Sequence, residues 1–258
     1  MSSILLSIQN NVAFITLNRP DKLNAFNGEM SLLLQGKLDE CASLHEVRAV
    51  HLSGAGKGFS AGQDLAEVVD PAGPGLEKIL SEYYNPIVTR IRNMPKPVLA
   101  AVGGVAAGAG ANIALCCDIV VASQSASFLQ AFSKIGLIPD SGGTWFLPRL
   151  VGWQKASALA MLGERISAAE AERIGMIYKV YPDDELSGAS MALAAGLAQM
   201  PTKALGLIKH ALNASFTNSL EAQLALEDTL QQRAGSTRDY REGVKAFMEK
   251  RLPTFTGE

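Results

Sequence analysis

The sequence predicts an α/β protein with an all-helical C-terminal third, on three observations. Short apolar runs of strand length alternate with helical patterns between residues 4 and 185. Glycine-rich turns punctuate that alternation at 54–62, 103–110 and 142–143. From Leu186 onward the pattern is helical throughout, over about 186–199, 201–214, 218–233 and 239–250. The expected division is a core over 1–185 and a helical region over 186–258.

Taken in order, Ile4–Gln9 and Val12–Leu17 flank Asn10-Asn11 and read as a β-hairpin. Residues 18–25 form a loop marked by Pro20 and two asparagines. A helix over 27–44 is predicted from Met30, Leu33, Leu34, Leu38 and Cys41 at helical spacing. Residues 49–54 form a short strand, in which His51 has no neighbouring ligand and reads as structural. A helix over 76–93 stops at Pro95-Lys96-Pro97, and 98–102 is a buried strand. The turn 103–111 opens a helix over 112–116, followed by strands at 119–122 and 126–129. Further on, 154–162 is helical, Ser167-Ala168-Ala169-Glu170 is a capping box opening a helix that ends near Gly175, and 177–181 is a strand.

Composition narrows the function. The chain has 258 residues, 48% of them apolar, enough for a sizeable core. A net charge of −2 speaks against a nucleic-acid partner, which calls for a basic excess. Cys41, Cys116 and Cys117 are odd in number and two lie in an apolar run, so they read as buried thiols in a reducing compartment. Met1-Ser2-Ser3-Ile4 lacks the features of a secretion signal, and no apolar run has the length of a membrane span. The expectation is a cytoplasmic protein without a membrane partner.

Ser60 and Ser141 lack a Gly-x-Ser-x-Gly elbow, and no cluster of His, Cys or carboxylates suggests a metal. The turn 54–62 fails the phosphate-loop and dinucleotide fingerprints. What remains is two glycine-rich turns, around Ala61-Gly62-Gln63-Asp64 and Gly108-Ala109-Gly110, that can present backbone N–H groups. Beside them stands one carboxylate, Asp140, between Leu137-Ile138-Pro139 and Gly142-Gly143. Asp140 has two readings: the N-cap of the next helix, or a general acid/base in an apolar pocket with a raised pKa. Donors for an anion beside a proton carrier suit enolate chemistry.

In combination, several stretches resemble the crotonase, or enoyl-CoA hydratase/isomerase, family over essentially the whole chain. They are Leu17-Asn18-Arg19-Pro20 with Leu23-Asn24-Ala25, Phe59 to Leu65, Lys96 to Gly110, Cys117-Asp118-Ile119 and Gly136 to Thr144. The resemblance implies a spiral of ββα turns with a C-terminal helical region, assembled as a homo-trimer or a dimer of trimers. It also implies an acyl-CoA thioester substrate that brings coenzyme A with it, and no separate cofactor or metal. By resemblance the oxyanion hole falls on the N–H groups of Gln63 and Ala109. Lys22, Leu23, Ala25, Ala61, Asp64 and Leu65 fall where the family contacts the coenzyme, with Gly110, Asn112 and Phe132 along the acyl end. Lys250 falls in a region from which relatives supply a basic residue, sometimes to a neighbouring subunit.

The departures from the family pattern are informative. The two glutamates that activate water in hydratases align with Asn112 and Phe132. Asp140 stands where several isomerases carry their acid and typical hydratases carry glycine. One carboxylate can move a proton without adding water, so the resemblance implies isomerisation. Residues 104–111, 131–134, 136–145, 239–244 and 253–257 look like the branch that converts a ring-epoxidised phenylacetyl thioester to a seven-membered oxepin. The alternatives are a Δ3,Δ2-enoyl-CoA isomerase of fatty-acid breakdown and a catalytically silent CoA-binding scaffold. Phe132, Trp145 and Phe146 are expected to wall the pocket, and Asp64 to cap a helix.

Overall fold

The computed structural model describes residues 2–258. The chain opens with the antiparallel hairpin β1 (Ile4–Gln9) and β2 (Val12–Leu17), in which Gln9 faces Val12. Asn10 and Asn11 both take positive φ, +50° and +65°, as a tight two-residue hairpin turn demands. Helix α1 (Gly28–Ser43) starts at Asn27, whose side chain accepts from Met30 N, and buries Met30, Leu34, Leu38 and Cys41.

From here the chain winds as a spiral. β3 (Ala49–Gly54) is followed by β4 (Gly58–Ser60) and the short helix α2 (Leu65–Val69). Next comes one continuous helix: α3 (Leu76–Lys78), a π-helical segment Ile79–Tyr84, and α4 (Asn85–Asn93). The second turn is β5 (Val98–Val102), β6 (Val105–Ala107) and α5 (Ala109–Leu115). The third is β7 (Ile119–Ser123), β8 (Ser127–Leu129) and a 3₁₀ segment, Ala131–Ile135. Each turn places one strand in a six-stranded sheet, ordered β1-β2-β3-β5-β7-β10, and one in a four-stranded sheet, β4-β6-β8-β9. Apart from β1 and β9, neighbouring strands run parallel. This is the ββα spiral implied by the resemblance.

α6 (Gly143–Val151), α7 (Trp153–Leu162), β9 (Arg165–Ser167), α8 (Ala168–Arg173) and β10 (Lys179–Tyr181) close the core. α9 (Leu186–Gln199), α10 (Thr202–Ser215), α11 (Leu220–Gly235) and α12 (Arg238–Met248) follow. The main core gathers Ile15, Leu17, Phe26, Leu52, Phe59 and Phe128, all almost fully buried. A second cluster lies on the other face of the large sheet, where α9 sets Leu186, Ala194 and Ala198 against Val12, Ala49, Leu99 and Val121. Strands β3 and β5 are thus covered on both faces, as parallel strands are.

Three sequence expectations need correction, and one helix has no counterpart among them. The helix over 76–93 is not uniform: Pro86 cannot donate to a carbonyl four residues back, and the turn before it widens to π geometry. The carbonyls of Glu82 and Tyr83 are taken instead by Gln35 Nε2, at 2.7 and 3.2 Å. The helix read at 112–116 begins at Ala109, and β6 occupies residues that read as a glycine-rich turn. Residues 143–151 form a helix although Pro148 lies inside it. Asp140 does not cap that helix: Gly142 is the N-cap, with no side-chain capping bond.

Among the described residues no single helix is long and apolar enough to cross a membrane. Cys41, Cys116 and Cys117 are buried and free.

Candidate active site

The two donor turns meet at Gly62. Phe26 pairs with the chain on either side of Gln63, its N–H donating to Gly62 O (2.7 Å) and its carbonyl accepting from Asp64 N (2.8 Å). In such a parallel bridge the middle residue turns its own N–H the other way, and Gln63 N–H has no acceptor among the described residues. Gly62 has φ +90°, and a Cβ there would sit 2.8 Å from Ala107 O and 3.5 Å from Ala109 N. Only glycine lets the first turn come this close to the second. Ala109 is the first residue of α5, so its N–H has no partner within the helix. Gln63 and Ala109 therefore present free N–H groups from adjoining turns.

Asp140 reaches the same place by another route. Asn112, fully buried in the middle of α5, donates from Nδ2 to Asp140 O at 2.8 Å, and its Oδ1 accepts from Gln130 Nε2 at 2.7 Å. Gly143 N donates to the same Asp140 carbonyl at 2.8 Å. The start of α6 lies against Asn112 so closely that a Cβ on Gly143 would fall 2.3 Å from Nδ2. Asn112 thus anchors the backbone of Asp140 and leaves its carboxylate to other work. Ser141 Oγ donates to Asp140 Oδ1 at 2.9 Å, and Oδ2 has no hydrogen bond among the described residues. Burial raises the Asp140 pKa to about 6, against the opposing Ser141 bond. Phe132 is buried, with its ring edge in reach of Gly108.

The residues that the resemblance assigns to the coenzyme form a second cluster. Leu23 and Asn24 both take left-handed φ, +47° and +55°. Asn24 is held there by Nδ2 bonds to Ala55 O (2.9 Å) and Gly58 O (2.8 Å). A bulky leucine in that conformation carries strain, which clusters at ligand clamps. Ala61 N donates to Leu23 O at 2.9 Å, joining the Lys22–Ala25 loop to the Ala61–Leu65 loop. Lys22, Leu23 and Leu65 are exposed, Ala61 is half-buried and Ala25 is buried. Gly110 packs α5 on β4, where a Cβ would meet Ser60 Oγ at 2.5 Å. Asp64 accepts from Ala66 N as the cap of α2 and pairs with Arg19 at 2.8 Å, which lowers its pKa. A carboxylate so engaged is a poor proton carrier.

The structure thus brings Gln63, Ala109, Gly110, Asn112, Phe132 and Asp140 together, with the loops at 22–25 and 61–65 beside them. Lys250 lies beyond α12, and no hydrogen bond or ion pair among the described residues joins it to these loops. Trp145 stacks edge-on against Phe146 and Phe216, so it ties α6 to the helical region. Sequence reasoning did not reach Tyr84 or Glu67. Tyr84 Oη donates to Gln63 Oε1 at 2.6 Å, and Gln63 Nε2 donates to Glu67 Oε2 at 2.9 Å. The available signal was Pro86 inside a helical pattern, which marks an irregular turn just before it.

A cleft of about 780 Å³ lies elsewhere, lined by Arg48, Arg92, Lys96, Lys209 and Arg233. It flanks the starts of β3 and β5, whereas Gln63 and Ala109 follow the ends of strands. Arg48 and Lys209 bond main-chain carbonyls across the cleft and join the helical region to the core, while Arg92 and Lys96 bond carbonyls within the core.

A ββα spiral with two unpartnered N–H groups and the half-buried Asp140 around one site is an arrangement that can hold an oxyanion while a proton moves. Residues 7–258 match the enoyl-CoA hydratase/isomerase family, and the chain belongs to it. It is 50% identical to the 1,2-epoxyphenylacetyl-CoA isomerase of Escherichia coli, over the full length of both chains. It is 48% identical to a "Probable enoyl-CoA hydratase" of Rhodobacter capsulatus, covering 99% of this chain and 98% of that one. The crystal structure of an enoyl-CoA hydratase from Bacillus anthracis superposes with a TM-score of 0.92 at 33% identity, over 99% of this chain and 100% of that one. The protein is a crotonase-family enzyme acting on CoA thioesters.

Proposed function

We propose that the protein is a CoA-thioester isomerase that converts 2-(1,2-epoxy-1,2-dihydrophenyl)acetyl-CoA to oxepin-CoA in phenylacetate breakdown. The observation that carries this reading is the half-buried Asp140, with Asn112 and Phe132 at the positions where the resemblance places the hydratase carboxylates. Likeness to the Escherichia coli isomerase supports the aromatic substrate. In the reaction the carbon–carbon bond shared by the epoxide and the ring opens, giving the seven-membered oxepin without loss of atoms. Asp140 takes a proton from the side-chain CH₂ beside the thioester. The electron pair moves onto the thioester oxygen, which the Gln63 and Ala109 N–H groups hold. It then returns to form the double bond joining side chain and ring; the ring double bond at that carbon breaks, and its electron pair takes the proton from Asp140 at the next ring carbon. A carboxylate with a pKa near 6 suits both halves of this transfer. Lys22, Leu23, Ala25, Ala61, Asp64 and Leu65 bind the coenzyme portion, and Gly110, Asn112 and Phe132 shape the acyl end.

The same proposal includes a cytoplasmic homo-trimer or dimer of trimers, with residues 186–258 serving assembly and pocket closure. Leu220, Phe247, Met248 and Leu252 support it: each is at least 70% exposed on that region. Sedimentation of the purified chain checks the assembly.

A panel of CoA thioesters followed by ultraviolet absorbance tests the activity. The epoxide should be consumed with appearance of the oxepin chromophore. Turnover of 3-enoyl-CoA alone would assign the enzyme to fatty-acid breakdown, and unchanged turnover in Asp140→Asn would remove the carboxylate from the mechanism.

A further inference from the structure

The chemistry above uses only the backbone N–H of Gln63, yet its side chain is bonded at both ends. Tyr84 Oη donates to Oε1 at 2.6 Å, and Nε2 donates to Glu67 Oε2 at 2.9 Å. The other Glu67 oxygen accepts from Gly28 N at 2.9 Å, at the start of α1. The amide can face only one way. Burial and the nearby Asp140 charge raise the Tyr84 pKa, keeping the phenol a donor, and an ionised carboxylate only accepts. Tyr84 is 1% exposed, and its ring meets Phe26 edge-on at 6.0 Å between centroids. Phe26 is the residue that brackets Gln63 through the backbone. The donor peptide is therefore gripped from its backbone by Phe26 and from its side chain by Tyr84 and Glu67.

The delivery of Tyr84 points the same way. It is the last residue of the π-helical segment, a geometry uncommon in general and frequent at functional sites. Beyond Asp64, which Arg19 and Phe26 O hold, the chain has little else to steady it. α2 has only five residues, none buried, and exposes Leu65, Val68 and Val69.

We propose that Tyr84 and Glu67 are positioning residues that clamp the Gln63 side chain and so keep the Gln63 N–H aimed at the thioester oxygen. The inference rests on the oxyanion role proposed above. A donor fixed in advance stabilises developing charge without reorganisation, whereas a donor on a loose loop must first be ordered. Loss of the clamp should therefore lower kcat and leave KM nearly unchanged.

The test reads carbonyl polarisation directly, from the absorption band of bound 3-phenylacryloyl-CoA, which moves to the red when its carbonyl is polarised. Wild type and Asp140→Asn should show the full shift. At saturation, Tyr84→Phe and Glu67→Ala should lose half of it or more, and kcat on the epoxide should fall about 10- to 100-fold with KM within about threefold. Glu67→Gln keeps an acceptor oxygen and should recover most of both. Tyr84→Phe added to Gln63→Met should slow the enzyme no further than Gln63→Met alone. A full shift and unchanged kcat in Tyr84→Phe and Glu67→Ala would overturn the clamp while leaving the oxyanion hole intact. Absence of any shift in wild type would refute the oxyanion hole, and the clamp with it. Should Tyr84→Phe fail to fold, Glu67→Ala and Gln63→Met decide by the same readouts.

Discussion

A carboxylate that takes a proton from carbon near neutral pH must be more basic than one in water, and burial supplies this at Asp140. The same burial costs stability. The folded pKa of about 6 lies above the ordinary value of 3.8, so the folded form is undisturbed below 3.8 and loses stability as pH rises through 6. Asp140→Asn should remove that penalty. At pH 8 we expect the variant to be more stable by about 1–2 kcal/mol, once partial solvent access is discounted, and slower by about 10²- to 10⁴-fold. Urea titration and turnover of the same preparations check the pair, and the wild-type rate should rise with pH through about 6. A variant both slower and less stable would instead mark Asp140 as structural. The sequence made Asp140 conspicuous because a charge among Leu137, Ile138 and Pro139 is unusual. It could not decide between cap and acid, because that depends on Asn112, which is 28 residues away and takes the Asp140 carbonyl. Tyr84 and Glu67 were hidden for a similar reason: both act through Gln63, and neither lies in a glycine-rich turn.

At the scale of the elements, long and strongly periodic segments were legible, and of the five three-residue strands only β8 and β10 were. The hairpin at Asn10-Asn11, α1 and the capping box at Ser167 all carry their own local signals. Strands β4, β6 and β9 do not, since three residues are too few for alternation and β6 sits among glycines. Yet the short strands bring the donor turns together, and Gly62 is where this can be tested. Gly62→Ala would force a Cβ to 2.8 Å from Ala107 O at a φ of +90°. We expect a loss of about 1–3 kcal/mol and a larger fall in kcat than in stability, read by urea midpoint and turnover. The buried strand β3 offers a pH test. His51 bonds Ser190 of α9 at 3.0 Å, and burial lowers its pKa from 6.5 to about 4. The unfolded chain takes up that proton first, so stability present above pH 6.5 is lost as pH falls towards 4, by about 3 kcal/mol. His51→Gln should flatten this part of the pH–stability curve, and an unchanged slope would assign the loss to other groups.

Across the whole molecule, the helical region is held to the spiral core by two cations, Arg48 without a carboxylate partner and Lys209 with one. Arg48 bonds Thr202 Oγ1 at 2.9 Å and the carbonyls of Phe255 and Met200 at 2.9 and 2.8 Å. Within the core, Lys96 donates to Cys41 O and Leu44 O, both at 2.7 Å, tying the end of α1 to the start of β5. Lys209, 6% exposed on α10, donates to Ile91 O (2.6 Å), Lys96 O (3.3 Å) and Asp118 Oδ2 (2.7 Å). Asp118 also pairs with Arg92 at 3.3 Å and accepts from Val98 N at 2.8 Å. One carboxylate thus joins α10, α4 and the start of β5. Lys209→Met fills a similar volume but strips three acceptors of their donor. Breaking a buried pair costs about 3–5 kcal/mol, and the remaining Arg92 and Val98 bonds to Asp118 place this variant at the lower end. The seam flanks the strand starts, away from Gln63 and Ala109, so the chemistry should be spared. We expect Lys209→Met to unfold at lower urea, and to be cleaved sooner by protease near residues 200–202. Its folded fraction should keep kcat within about twofold, because the donors and Asp140 stay in place. A large fall in kcat at unchanged stability would instead couple α10 to the reaction through the core, and would move the functional boundary of the active site into the helical region.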